Sequence, residues 1–244
     1  EMCIRDSINA ESLFQILLEH QIDLVEFCDL IQDDYTLEER KVEKQFETKM
    51  NQAVSARDTE ALDKYCQQIM NSSNNEILKL RALITLTYFK GKTDKIDVEI
   101  RKKIKAEFDE GNNWLERPDL LRLLVNTMPM WPQDELDFLI GRLLDFANKS
   151  ELSELTTERY LRLLENYLVV CYDRKVHKQL THFDHIDDVM EYIINATGSF
   201  HLMIYRIEVF YMKALFLDQK DKTKEIRQDL GVLGYKNFIA SWSE

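Results

Sequence analysis

The scarcity of glycine and proline is the feature that most limits what this sequence can fold into. The 244 residues include 6 glycines and 3 prolines, far fewer than the many turns of a sheet protein require. Apolar residues make up 45% of the chain, which is enough for a core. They recur with a period near 3.6 residues along most of the sequence, so the sequence predicts an all-α protein.

The order of the predicted helices indicates a repeat. Turn strings such as SARD, NSSNN and NKSE separate the helical segments and place Asp, Asn or Ser before an apolar run, as an N-cap requires. The segments pair into about five antiparallel hairpins, whose first helices start about forty residues apart. This period predicts a tetratricopeptide-like solenoid, a right-handed superhelix with a concave inner face. The predicted first helices begin near residues 36, 75, 117, 153 and 200.

A repeated phrase marks a candidate site within these hairpins. LRLLVN at 121–126 recurs as LRLLEN at 161–166, with Arg122 and Arg162 one helical turn before Asn126 and Asn166. Spacing of four residues places each pair on one helix face. Arg206 falls at the position of the two asparagines in the next hairpin.

The residue types of this set suit an extended peptide. A carboxamide pairs with both an N–H and a C=O group, and a guanidinium pairs with a carboxylate or a carbonyl. We therefore predict that the set, here named the Arg/Asn stripe, binds peptide main chain. The alternative is the ordinary wet face of an amphipathic helix. The Arg/Asn stripe consists of Arg122, Asn126, Arg162, Asn166 and Arg206.

Other motifs indicate no further chemistry. GKTDK at 91–95 lacks the first glycine and the preceding strand of a P-loop. His182 and His185 with the aspartates beside them could hold a metal or form a solvated loop, and we assign no metal site. Neither HExxH, GxSxG nor a paired Cys–His signature occurs, so we predict no enzyme and no cofactor.

Charge and hydropathy constrain the partners and the location. The formal net charge is −12, whereas domains that bind nucleic acid usually present a basic face. No apolar run reaches the roughly 20 residues that span a bilayer, and no signal peptide is recognisable. The four cysteines form no CxxC pair, as is typical of reduced thiols. We expect a cytoplasmic protein that contacts no membrane.

Four stretches together resemble the Rgg/GadR/MutR-type transcriptional regulators of Gram-positive bacteria. The resemblance covers roughly residues 8–240 as a pattern of apolar, aromatic and Asn positions. One departure concerns the residue after the first asparagine, which is often Arg in the family and is Thr127 here. The stretches are SLFQILLEHQIDLVEF, NWLERPDLLRLLVNTMPMWPQDELDFL, LRLLENYLVVCYDRKV and FHLMIYRIEVFYMKALF.

The resemblance implies a domain order and a set of partners. Family members join an N-terminal helix-turn-helix domain to a tetratricopeptide-like domain that dimerises and, in many cases, senses a short pheromone peptide. Residues 8–34 are then the remnant of the DNA-binding domain and its linker, and residues 35–244 the sensor and dimerisation domain. Residues 1–7 fit no helical pattern, and we expect them to be non-native. DNA would be bound only through the missing N-terminal domain.

A helical-repeat scaffold for protein–protein interaction, with no role linked to DNA, is the alternative function. The coding sequence upstream of Ile8 distinguishes the two hypotheses. A helix-turn-helix encoded there favours the regulator, whereas a stop codon or an unrelated domain favours the scaffold.

Overall fold

The computed structural model describes residues 9–35, 37–92, 96–109, 113–179, 182–240 and 242. Helices account for 79% of the chain, and no strand occurs among these residues, so the all-α prediction is confirmed. The predicted non-native segment, residues 1–7, lies outside the described residues. None of the described helices is both long and apolar enough to cross a membrane.

Thirteen α-helices occur in the described part of the chain, and α3 to α12 correspond to the ten segments that the apolar period predicts. Short 3-10 turns precede α7, α8 and α11. The helices are α1 (Ala10–Glu19), α2 (Leu24–Tyr35), α3 (Glu38–Ser55), α4 (Thr59–Ser72), α5 (Glu76–Phe89), α6 (Val98–Ala106), α7 (Pro118–Thr127), α8 (Gln133–Lys149), α9 (Glu154–Val176), α10 (Ile186–Ala196), α11 (Met203–Phe216), α12 (Lys220–Val232) and α13 (Lys236–Ile239).

The turn strings supply the helix caps that the sequence predicts. Asp58, Asn75 and Ser153 stand immediately before α4, α5 and α9. Each side chain accepts a hydrogen bond from a backbone N–H of the first turn, at 3.0, 3.0 and 3.2 Å. These bonds satisfy donors that have no partner inside the helix. The starts of α4, α5 and α9 are therefore encoded locally.

The chain divides into two compact units, one ending at Ser73 and the other beginning at Asn74. In the first unit α3 packs against α4, and the fully buried side chains of Met50, Leu62 and Ile69 form the core. This division differs from the sequence-based boundary near residue 34, which stays a prediction because no contact here identifies a DNA-binding remnant.

The second unit contains a row of neighbouring helices. Helix α7 packs against α5 and α9, and α9 packs against α11. Helix α10 contacts both α9 and α11, and α12 packs on α11. Of these, α5, α7, α9 and α11 are the first helices of four predicted hairpins, and each packs against the next in chain order. The right-handed superhelix itself stays a prediction.

A buried polar network ties the turn between α7 and α8 to α9. Arg174 of α9 is 8% exposed and donates hydrogen bonds from Nη2 to the carbonyl oxygens of Trp131 at 2.8 Å and Met128 at 3.3 Å. Its Nη1 donates to Gln133 Oε1. The guanidinium thus binds two carbonyl oxygens of the turn that connects α7 to α8, and one of them, that of Met128, also accepts the Trp131 backbone N–H.

The same network contains a buried carboxylate. Asp137 is 5% exposed and accepts hydrogen bonds from Tyr167 Oη at 2.6 Å and Gln133 Nε2 at 2.7 Å. Gln133 therefore links Asp137 to Arg174, so that two buried charges share one amide.

Burial raises the pKa of the nearby Cys171 thiol to about 12. This cysteine is protonated at neutral pH and is not an activated nucleophile.

Candidate ligand-binding surface

The Arg/Asn stripe is distributed over three adjacent helices of the second unit. Helix α7 carries its first two residues, α9 the next two and α11 the last. Arg122, Arg162, Asn166 and Arg206 are exposed, whereas Asn126 is half-buried. The row of helices therefore brings the five positions onto neighbouring elements.

Asn126 of α7 forms hydrogen bonds with two polar side chains of α5, those of Arg81 and Thr85. Its Nδ2 donates to Thr85 Oγ1 at 3.0 Å, and its Oδ1 accepts from Arg81 Nε at 3.5 Å. Arg81 and Thr85 are each 5% exposed. The donor and the acceptor of the Asn126 carboxamide are therefore both used in contacts across the interface between α5 and α7. Asn126 thus joins two helices.

Arg162 joins α9 to α11 in a comparable way. Its Nε donates to Tyr205 Oη at 2.9 Å, and its Nη2 donates to Glu158 Oε1 at 2.7 Å. The Tyr205 hydroxyl in turn donates to Glu158 Oε1 at 3.1 Å. The bond to Tyr205 is the main cause that raises the pKa of Arg162, and burial raises the pKa of Tyr205 to about 12. These three side chains form a closed triangle between the helices.

Asn166 differs from Asn126 in its surroundings. It is exposed, and its Nδ2 donates to the carbonyl oxygen of Arg162 in its own helix at 2.7 Å.

Thr127, at the position where the family often has Arg, is fully buried. Its hydroxyl donates to the Leu123 carbonyl and accepts from Trp131 Nε1 at 3.0 Å. Thr127 therefore fixes the end of α7 and cannot contact a ligand on the surface.

Two glutamates extend the polar contacts between α9 and α11. Glu165, 9% exposed, lies one position before Asn166, and its Oε1 has no hydrogen-bond partner among the described residues. Burial, followed by the charge of Glu208 on α11, raises the pKa of Glu165 to about 10. Burial also raises the pKa of Glu208. At neutral pH the two carboxyl groups together hold at least one proton.

Sequence reasoning did not find the partners of the Arg/Asn stripe. Arg81 stands one repeat before Arg122, so the arginine periodicity could have included it. Nothing local indicates Thr85, Tyr205 or Glu208, because each meets its partner across an interface between helices.

The histidines considered as metal ligands lie apart from the Arg/Asn stripe. His182 Nε2 pairs with Asp184 Oδ1 at 3.1 Å, and His185 Nδ1 pairs with Asp188 Oδ2 at 3.2 Å. His185 borders a cavity of about 510 Å³ between α8 and α10. Over the described ranges, no three His, Cys, Asp or Glu side chains come close enough together to hold a metal ion.

The two asparagines should contribute differently to stability. We expect Asn126→Ala to lower the free energy of unfolding by about 1–2 kcal/mol, because it leaves the buried Arg81 and Thr85 without this partner. Asn166→Ala should change it by less than ~0.5 kcal/mol, since the site is exposed and alanine favours the helix. Urea denaturation followed by circular dichroism measures both. Equal losses from the two variants would contradict the distinction drawn here.

Comparison with protein-family models, curated proteins and solved structures finds no match to this chain. What the fold and the surface define is an all-helical protein whose adjacent helices are joined by polar contacts. Each of these contacts joins a residue of the repeated phrase to a residue of a neighbouring repeat.

Proposed function

We propose that this chain is the peptide-sensing and dimerisation part of a bacterial transcriptional regulator of the Rgg/GadR/MutR type. The single observation that carries the proposal is the recurrence of the Arg–Asn pair at equivalent positions of α7 and α9, with Arg206 at the asparagine position on α11, in helices that pack in that order. A short peptide in extended conformation binds along the Arg/Asn stripe, in a concave groove formed by the hairpins. The protein is a cytoplasmic homodimer and contacts DNA through a separate N-terminal domain.

The chemistry of the stripe favours main-chain recognition. Asn166 is exposed on α9 and offers a donor and an acceptor to one peptide unit. Arg122 and Arg206 are exposed cations on the helices on either side of it. A guanidinium binds a terminal or side-chain carboxylate with paired hydrogen bonds. The preferred ligand is therefore a peptide with a free carboxylate and few basic residues.

The contacts described for Asn126 and Arg162 suggest how binding is sensed. Each side chain already joins two helices, Asn126 to α5 and Arg162 to α11. A peptide group that takes a hydrogen bond from either residue competes with the interhelical contact. Binding then shifts the equilibrium towards an altered arrangement of the helices. The size of this shift is set by how much more tightly the ligand binds the altered arrangement. This coupling would reach the DNA-binding domain through the dimer.

The proposal is tested with a library of fluorescein-labelled random octapeptides in fluorescence polarisation. We expect a subset of peptides to bind, and Asn166→Ala to weaken their binding about tenfold, the loss of one buried hydrogen bond. Asn148→Ala is the matched control, because Asn148 is also an exposed helical asparagine and lies on α8, outside the stripe.

Two results would contradict the peptide-binding function. One is a library in which no peptide binds, and the other is equal affinity for the two asparagine variants. A helix-turn-helix encoded upstream of Ile8 would independently favour the regulator over the helical-repeat scaffold.

A further inference from the structure

A cavity of about 660 Å³ lies at the surface formed by α11, α12 and α13. This volume falls within the usual range for small-molecule sites, roughly 300–1,000 Å³. The cavity involves none of the five residues of the Arg/Asn stripe. Its lining combines cationic and apolar side chains, of which the principal ones are Lys224, Arg227, Lys236, Tyr211, Val232 and Ile239.

The charge of this lining is opposite to that of the protein. The whole chain has a formal net charge of −12, yet three cations and no Asp or Glu occur among the described residues that line the cavity. On helix α12, Asp221, Glu225 and Asp229 follow one another at intervals of four and share one side with Lys222, while Lys224 and Arg227 lie on the side that borders the cavity.

The two lysines have no anionic partner within the described parts of the chain. Neither Lys224 nor Lys236 forms a salt bridge there, and both are exposed. The Lys236 side chain runs along α12, and its Cγ and Cε would each lie 3.8 Å from a Cβ placed on Gly231. The absence of a side chain at Gly231 thus leaves space beside this lysine at the cavity. Uncompensated cations at a cavity attract an anion.

Arg227 is held in place at the same cavity by aromatic residues. Its Nη1 donates to Tyr211 Oη at 3.3 Å and to the Trp242 carbonyl oxygen at 3.4 Å. The guanidinium carbon also lies 6.0 Å from the centre of the Tyr211 ring. Tyr211 is buried and packs against the Trp242 ring with a centroid separation of 4.9 Å. These contacts pre-orient the guanidinium, which lowers the entropy lost when it binds a ligand.

The apolar part of the lining requires a second property of the ligand. Val232 is 81% exposed, and it stands beside the buried Ile239 and Tyr211 at the cavity. Covering this apolar surface is favourable by about 25 cal/mol per Å² removed from water. A ligand that is only a charge leaves this contribution unused.

We propose that this cavity is a binding site for an organic anion that carries a carboxylate or phosphate group on an apolar body. Lys224, Lys236 and Arg227 contact the anionic group, and the exposed Val232 side chain, beside the buried Ile239 and Tyr211, contacts the apolar body. The site is separate from the proposed peptide site and does not depend on it.

Isothermal titration calorimetry with three probes tests the site. Phenyl phosphate and 3-phenylpropionate carry the two anionic groups on the same kind of apolar body, and inorganic phosphate supplies charge alone. We expect at least one aromatic probe to bind more tightly than inorganic phosphate, and the tighter of the two identifies the preferred anionic group. Added sodium chloride should weaken the binding.

The variants make the test specific. The double variant Lys224→Gln/Lys236→Gln should bind the preferred probe at least tenfold more weakly than the unchanged protein. Lys213→Gln/Lys222→Gln removes the same charge from exposed positions of α11 and α12 outside the cavity and should bind as the unchanged protein does. Circular dichroism melting curves confirm that both variants are folded. Binding of neither aromatic probe, or equal weakening in both double variants, would overturn the proposal.

Discussion

Replacing Arg174 with leucine should lower the free energy of unfolding by about 3–5 kcal/mol, the range for removing one member of a buried charged network. The substitution leaves the carbonyl oxygens of Trp131 and Met128 without this donor. It also leaves Asp137 as a buried carboxylate with no cation linked to it through Gln133. Each unsatisfied buried group costs about 1–3 kcal/mol. Urea denaturation monitored by circular dichroism measures the loss.

Two further variants separate the network from the general effect of losing an arginine. Arg206→Leu makes the same chemical change at an exposed position of the same unit, and it should alter the stability by less than ~0.5 kcal/mol. Arg174→Lys keeps the charge but loses the planar guanidinium with its several donors. Its stability should therefore fall between those of Arg174→Leu and Arg206→Leu. If Arg174→Leu were as stable as the unchanged protein, the buried network would contribute nothing to the fold.

Glu165→Gln is expected to stabilise the protein at pH 7 by roughly 2 kcal/mol, the largest gain that we predict for one substitution. The pKa of Glu165 rises from 4.5 to about 10 because burial and Glu208 disfavour the charged form. Between these two values the folded protein holds a proton that the unfolded chain has released. Stability therefore falls as pH increases through this window, by at most about 1.4 kcal/mol per pH unit. Glutamine is neutral at every pH and removes the penalty.

Thermal melting between pH 4 and pH 9, a range that covers most of this window, measures the effect. The Tm advantage of Glu165→Gln should be small at the acidic end, where both states hold the proton, and should grow as pH increases. Glu225→Gln is the control, because Glu225 is exposed on α12 and its replacement should leave the pH dependence unchanged. An advantage that is independent of pH would show that folding does not raise the pKa of Glu165, and a destabilised Glu165→Gln at pH 7 would contradict the predicted gain.

The pairing of Glu165 with Glu208 also bears on the proposed ligand site. The two carboxyl groups lie at the interface of α9 and α11, where Arg162 contacts Tyr205. This interface is polar, whereas other parts of α9 pack through buried apolar residues such as Leu161 and Leu164. Polar interfaces cost desolvation, and they are more easily rearranged by a ligand than an apolar core. In the proposed function, the α9–α11 contact is therefore one place where a bound peptide would change the packing of the helices.

Much of the secondary structure was predictable because its causes are local. The apolar period identifies α3 to α12, and the residues before α4, α5 and α9 identify their caps. Both signals depend on residues within one helical turn of each other. The repeated phrase also identified equivalent positions on α7 and α9, since a hairpin repeat returns the chain to the same orientation about every forty residues.

The partners of those positions could not be predicted from the same signals. The sequence by itself determined that Arg122, Asn126, Arg162 and Asn166 lie in pairs on single helix faces, because helical geometry sets the spacing. Only the tertiary structure decided that Asn126 forms a hydrogen bond to Thr85 on the neighbouring helix α5, whereas Asn166 forms one within its own helix. Identical residues in nearly identical phrases differ in this way because each helix has different neighbours. Side-chain contacts between helices depend on packing angle and depth, which residues forty positions apart determine together.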